Sequence, residues 1–202
     1  MDRDFWDGRW SEALEQHGDA IARMPPSRYL AEVAEGLEPG RALDAGCGHG
    51  AETLWLARHG WQVTAVDFSE TALAHARSTA EALGLAERIE WVAADLGTWT
   101  PPGDGYDLVV SLYVHVAGEV EELVERLATG VAPGGTLLLA GHLPIDPTTG
   151  EPSAAAGQVQ VTVEAATSAL DPRAWELVVA EDRPRAAAGT GADAVIRARR
   201  RP

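Results

Sequence analysis

Between residues 41 and 142, five short apolar runs alternate with segments of helical period, and few architectures accept that rhythm. RALDA (41–45), WQVTAVD (61–67), RIEWVAAD (88–95), YDLVVSLYVHV (106–116, a strand running into a loop) and TLLLAGH (136–142) read as strands. AETLWLARHG (51–60), SETALAHARSTAEALG (69–84) and EVEELVERLATG (119–130) read as helices. Gly60 and Gly84 mark two helix ends, Ser69 supplies an N-cap, and Val120, Leu123, Val124 and Leu127 share one face. PGG at 133–135 turns the chain into the fifth strand. Strands that alternate with helices imply an α/β domain built on a mostly parallel sheet.

The last sixty residues break the rhythm. Residues 142–158 form a long loop rich in Pro, Gly and small residues, a composition expected of a mobile segment. A short helix (161–170) follows, then two strands at 174–182 and 192–200 with no helix between them, so an antiparallel hairpin over 174–200 is expected at the sheet edge. With 202 residues and no internal repeat, the chain is read as one domain, residues 1–30 forming an N-terminal cap segment.

DAGCGHG (44–50) joins the first strand to its helix, where open α/β sheets bind ligands at the carboxyl ends of their strands. Gly46, Gly48 and Gly50 let backbone come against a ligand with a helix N-terminus behind it. Asp67 closes the second strand, placed to accept both hydroxyls of a ribose, and Asp95 closes the third, placed to accept from an adenine amino group. Both also suit a turn that caps the next element. The dinucleotide fingerprint needs its third glycine at 51, where Ala stands, and Asp44 would oppose a pyrophosphate. An adenosine ligand with a cationic amine fits all three acids, which points to S-adenosylmethionine.

LDAGCGHG, VDFS, AADL, YDLVVSLYVH and APGGTLLLAGH together resemble, in order and spacing, the motifs of class I S-adenosylmethionine-dependent methyltransferases. The resemblance implies a Rossmann-like doubly wound sheet of seven strands, the last antiparallel and inserted beside the fifth. It places Asp44, Gly46, Cys47, Gly48 and Gly50 along the methionine part of the cofactor. Asp67 then takes the ribose, with Phe68 and Ser69 at the adenine side, Asp95 and Leu96 at the adenine edge, and Ser111 beside the methionine. FWDGRW, the GHL after the fifth strand and AEDRPR further resemble small bacterial methyltransferases of the tellurite-resistance and thiopurine types, which implies a soft S, Se or Te nucleophile as acceptor.

In-line methyl transfer depends on alignment and exclusion of water, and needs a base only when the acceptor must lose a proton. Trp6, Arg9 and Trp10 are the candidate cover and Tyr113 a candidate wall. His115, His142 and Arg183 are the candidates for catalysis or for orienting the acceptor. Each has a plainer role open to it: packing for the tryptophans, a structural hydrogen bond for the histidines, an ion pair with Glu181 or Asp182 for Arg183. Cys47 also suits a small packed residue, and no His/Cys/Asp set has metal-ligand spacing.

The net charge of −15 argues against a nucleic-acid partner, and the RARRR run at 197–201 reads as a solvated strand end. The single cysteine excludes an internal disulfide, the start is unlike a signal peptide, and the longest apolar runs fall short of a membrane span. The expectation is a cytoplasmic monomer or simple homodimer acting on a small-molecule acceptor. Two other readings stand beside it: a non-catalytic S-adenosylmethionine sensor, and a nicotinamide-dinucleotide oxidoreductase, which the glycine spacing and Asp44 disfavour.

Overall fold

The computed structural model describes residues 3–21, 24–103, 105–115, 118–146, 149–153, 157, 159–185 and 191–202. Seven strands form a sheet of order β3-β2-β1-β4-β5-β7-β6. The chain divides into two compact units, Met1–Trp99 and Thr100–Pro202, each taken by itself below.

The first unit holds α1 (Arg3–Ile21), α2 (Arg28–Ala34), β1 (Arg41–Ala45), α3 (Ala51–Arg58), β2 (Gln62–Asp67), α4 (Glu70–Ala82) and β3 (Ile89–Ala93). β2 pairs in parallel with β1 on one side (Leu43↔Thr64) and with β3 on the other (Ala65↔Trp91). Every residue of β2 after Gln62 is buried, as expected of a central parallel strand covered on both faces. Gly60 at φ 94° and Gly84 at φ 69° follow α3 and α4 as the expected stops. Ser69 caps α4, its hydroxyl accepting from Ala72 N at 3.2 Å.

The second unit holds β4 (Tyr106–Leu112), α5 (Val120–Thr129), β5 (Val131–His142), α6 (Val163–Ala169), β6 (Trp175–Pro184) and β7 (Ala192–Arg200). β4 and β5 are parallel, β5 and β7 antiparallel, and β6 pairs with β7 as the expected edge hairpin. The seventh strand is therefore antiparallel and beside the fifth. α5 buries Val120, Leu123, Val124 and Leu127, its one apolar face. Leu137 and Leu138 are wholly buried on opposite faces of β5, each contributing roughly 1.5–3 kcal/mol.

One expectation is corrected here. PGG does not precede the fifth strand but lies within it: Val131 still pairs with Tyr106, and Thr136 resumes pairing at Leu108. The extra residues bulge out, with Gly134 at φ 79° and no room at Gly135 for a Cβ, which would lie 3.0 Å from Tyr106 O. The fourth strand ends at Leu112 and runs into coil over 113–115, as expected. The described part of the 142–158 loop is a closed turn: Ile145 bridges Pro152, Asp146 N donates to Glu151 O, and Ser153 Oγ donates to Leu143 O at 2.5 Å. The other residues of that loop lie outside the described set. In the arginine run, Arg199 Nε donates to Gly134 O at 3.3 Å and Arg200 Nη1 to Val131 O, so both are tied to the bulge of β5. Among the described residues, no helix is long and apolar enough to cross a membrane.

Candidate functional site

In the first unit the glycine loop is held by the end of β2, where Gly46 N and Cys47 N both donate to Val66 O, at 2.8 and 3.0 Å. Gly48 and Gly50 take φ of 49° and 86°. A Cβ on Gly50 would lie 2.9 Å from Ala76 Cβ in α4, and one on Gly48 would lie 2.9 Å from the Trp10 ring in α1. The glycines are therefore required twice, by the turn and by two elements packed against it.

Three carboxylates surround this loop. Asp44 is buried and accepts from Thr53 Oγ1 at 2.5 Å; burial, then the nearby Glu52 and Asp67 charges, push it up to about 8. Burial also raises Glu52, although its Oε1 accepts from Ser27 N at 2.9 Å. Asp67 accepts from Gly48 N and Ser69 N, both at 2.9 Å, and is raised by burial despite these bonds. Among the described residues, no cation figures among the groups that set these three titrations. Beside them, His49 Nε2 is buried with no hydrogen-bond partner among the described residues, and burial lowers the affinity of that ring for a proton. A cluster of acids short of a cation, next to an unsatisfied ring nitrogen, fits a ligand that brings positive charge and polar atoms.

The other first-unit candidates divide. Phe68 is half-buried and Leu96 buried. Asp95 is exposed and closes its own turn, accepting from Gly97 N at 2.8 Å, so the plainer role weighed for it is realised. Cys47 is buried, and burial followed by Asp44 drives its thiol well up, which leaves it an inert packed residue. α1 packs on α4. Trp10 covers Gly48 and lies 5.3 Å from the His49 ring, whereas Arg9 is exposed with its guanidinium 5.6 Å above Trp6. Asp7, on the Trp10 face of α1, accepts from Ser69 Oγ at 2.5 Å. Asp7, Glu52 and Thr53 were missed. For Asp7 the signal was its i, i+3 spacing to Trp10; for Thr53, its place one turn into the helix after Asp44.

In the second unit the candidates gather at the carboxyl ends of β4 and β5. Ser111 is buried on β4, paired with Leu139. Tyr113 follows the strand at φ 60°, held by its N–H on Ala140 O at 2.7 Å. Its ring stacks on His142, with centroids 4.2 Å apart. His142 ends β5, its N–H donating to Gln160 Oε1 at 2.7 Å and its Nδ1 lying 2.9 Å from Asp193 Oδ1. His115 is half-buried in the coil after β4. Arg183 is held on its own strand, Nε donating to Glu181 Oε1 at 2.6 Å. Arg185 reaches Asp193 instead, through Nε at 3.0 Å and Nη2 at 2.8 Å. Asp193 and Arg185 were missed, although a carboxylate inside the apolar run ADAVI was a legible signal.

Comparison with known proteins places these loops in context. Residues 42–135 match the family model described as a methyltransferase domain. Trans-aconitate 2-methyltransferase of Streptomyces avermitilis is 38% identical over 128 residues, 60% of this chain and 46% of that one. Ribosomal RNA small subunit methyltransferase C of Alcanivorax borkumensis is 33% identical over 125 residues, 57% of this chain and 37% of that one. The chain thus spans about half or less of these two relatives. An S-adenosylmethionine-dependent methyltransferase from Mesorhizobium loti superposes with a TM-score of 0.65 at 26% identity, over 84% of this chain and 96% of that one.

Proposed function

We propose that this chain, whose residues 42–135 match a methyltransferase-domain model, is a class I enzyme that transfers a methyl group from S-adenosylmethionine to a small-molecule acceptor in the cytoplasm. The observation that supports the reading is the group of acids around the glycine loop, buried Asp44 and Asp67 with half-buried Glu52, for which no cation partner stands among the described residues. When bound, S-adenosylmethionine supplies a methyl group on a cationic sulfur. In this reading Asp44 and Glu52 balance the positive charge of the methionine part, Asp67 accepts from the ribose, and Gly46, Gly48 and Gly50 leave room for it. Trp10 over Gly48 supports a role for α1 in covering the loop, and Ser111, at the end of β4, remains the residue assigned beside the methionine.

The acceptor class divides along what each line of support implies. The resemblance of FWDGRW and AEDRPR to tellurite-resistance and thiopurine types favours a soft S, Se or Te nucleophile, which needs no base. The relatives named for trans-aconitate favour a carboxylate.

The test is formation of S-adenosylhomocysteine across tellurite, selenite, thiols, carboxylates, phenols and amines, with Asp67→Ala alongside. Turnover with one class, lost at least thirtyfold in Asp67→Ala together with cofactor binding, is the expected result. Binding without turnover on any class would favour the sensor reading. Absence of binding, with NADH bound instead, would return the dinucleotide reading to the front.

A further inference from the structure

Of the large apolar side chains that stay exposed among the described residues, Leu177 and Val178 are the two that are consecutive, each 46% exposed. Both belong to β6 in the second unit, the strand that ends the sheet beyond β7. Leu177 pairs with Ala198 and Val179 with Arg197, so Val178 is the extra residue of a bulge. A bulge bends its strand and spoils the edge for a further strand. A partner at this edge is therefore met by side chains rather than by a continued ladder.

Beside these two residues lies a groove of about 310 Å³. Leu170, Pro172, Trp175 and Leu177 supply its apolar lining, and Glu176 and Arg201 its charged groups. Among the described residues, neither the Glu176 carboxylate nor the Arg201 guanidinium has a hydrogen bond or ion pair. Arg199 stands opposite Glu176 on β7, but its Nε donates to Gly134 O. Next to Pro172 in the chain, Asp171 and Arg173 pair with each other at 3.3 Å. Two cations and two acids thus line or flank the groove, in a chain that carries sixteen cations against thirty-one acids. Trp175 pairs with Arg200, and Arg199 with Thr136, so the groove lies at the end of β5 remote from His142.

We propose that this face docks a second copy of the chain, forming a two-fold dimer. Leu177 and Val178 of each copy cover the groove of the other, and Arg201 of each meets Glu176 of the other. A two-fold contact needs a surface that contains its own complement. This one holds an apolar pair and an apolar groove, an unpaired cation and an unpaired anion. Charge argues for the same occupant: two copies of net charge −15 repel over most of their surfaces, and here the charges balance. A small anionic ligand would use Arg201 alone, with Glu176 set against it and Leu177 and Val178 left in water. Docking leaves the His142 end of β5 uncovered, so the dimer is independent of the reaction proposed above.

Sedimentation equilibrium of the full chain, loaded from about 1 to 200 μM, is the experiment, with a dimer Kd on the order of 10 μM expected. The variant carrying Leu177→Ser and Val178→Ser removes only exposed side chains, and its dimer Kd is expected to rise about tenfold. Glu176→Arg sets two guanidiniums together across the contact, and Arg201→Glu sets two carboxylates together. Each is expected to weaken the dimer about fivefold, with far-UV circular dichroism and thermal midpoint close to the parent's. The chain carrying both reversals restores opposite charges and is expected to return within about threefold of the parent Kd. That recovery separates a direct contact from a loss of fold, which a second reversal would not repair. A parent chain that stays monomeric across the range overturns the proposal. So does a dimer indifferent to the serine pair, or one that the double reversal leaves as weak as the single ones, since its contact then lies on another face.

Discussion

At the scale of single residues, Asp44 is the carboxylate of the glycine loop raised furthest, held at about 8 by burial and by Glu52 and Asp67. In the unfolded chain it titrates near its ordinary 3.8. Between those two values the unfolded chain has released the proton that the folded chain keeps. The favourable contribution is therefore complete below about 3.8 and drains away as pH rises toward about 8. Asp44→Asn removes this dependence while keeping an acceptor for Thr53. Without ligand, the urea midpoint of Asp44→Asn relative to the parent chain is expected to rise steadily from pH 4.5 to pH 8. A difference that stays constant over that range would mean that Asp44 ionises freely in the fold. The sequence showed that Asp44 was the residue to watch, because a carboxylate closed an apolar strand before a glycine loop. It did not show Glu52, since a glutamate in the first turn of a helix is ordinary, and only the return of Ser27 onto it buries the charge.

At the scale of elements, α1 meets the glycine loop through Trp10 on Gly48 and the N-cap of α4 through Asp7 on Ser69. Ser69 Oγ serves two helices at once, accepting from Ala72 N in α4 and donating to Asp7 in α1. Ser69→Ala is expected to cost about 1–2 kcal/mol, the value of a helix cap plus the tie to α1. In a double-mutant cycle, Asp7→Ala and Ser69→Ala are expected to couple by about 1 kcal/mol, read from denaturant midpoints. Strict additivity would show that the helix is placed by Trp10 alone. The five strands of the alternating region and their helices were legible because hydrophobic period and glycine stops agree there. α1 and α2 were not, because α1 mixes Trp, Asp, Gly and Arg with no apolar stripe, and α2 spans only two turns. The strand through PGG was hidden for another reason: a bulge and a turn call for the same residues, and only pairing to Tyr106 distinguishes them.

At the scale of the whole molecule, charge limits what the chain can take as a macromolecular partner. Sixteen arginines face thirty-one acids. Of the one dense basic run, Arg199 and Arg200 donate to carbonyls of β5. Nucleic-acid affinity comes chiefly from cations that neutralise phosphates, and falls steeply with salt. A chain of net charge −15 is therefore expected to hold RNA poorly, although one relative is named for ribosomal RNA. That relative shares only 37% of its length with this chain, so its RNA contacts need not lie in the shared part. Fluorescence anisotropy of a labelled 20-nucleotide RNA, titrated with the full chain at about 20 mM salt, is expected to show no saturable binding up to roughly 50 μM. Saturable binding whose affinity falls with salt would make a nucleic acid an acceptor to consider, and would require a local basic face that the pairing of Arg183, Arg185, Arg199 and Arg200 argues against. A small acceptor meets no such barrier, because it needs a few local contacts rather than a field of positive charge.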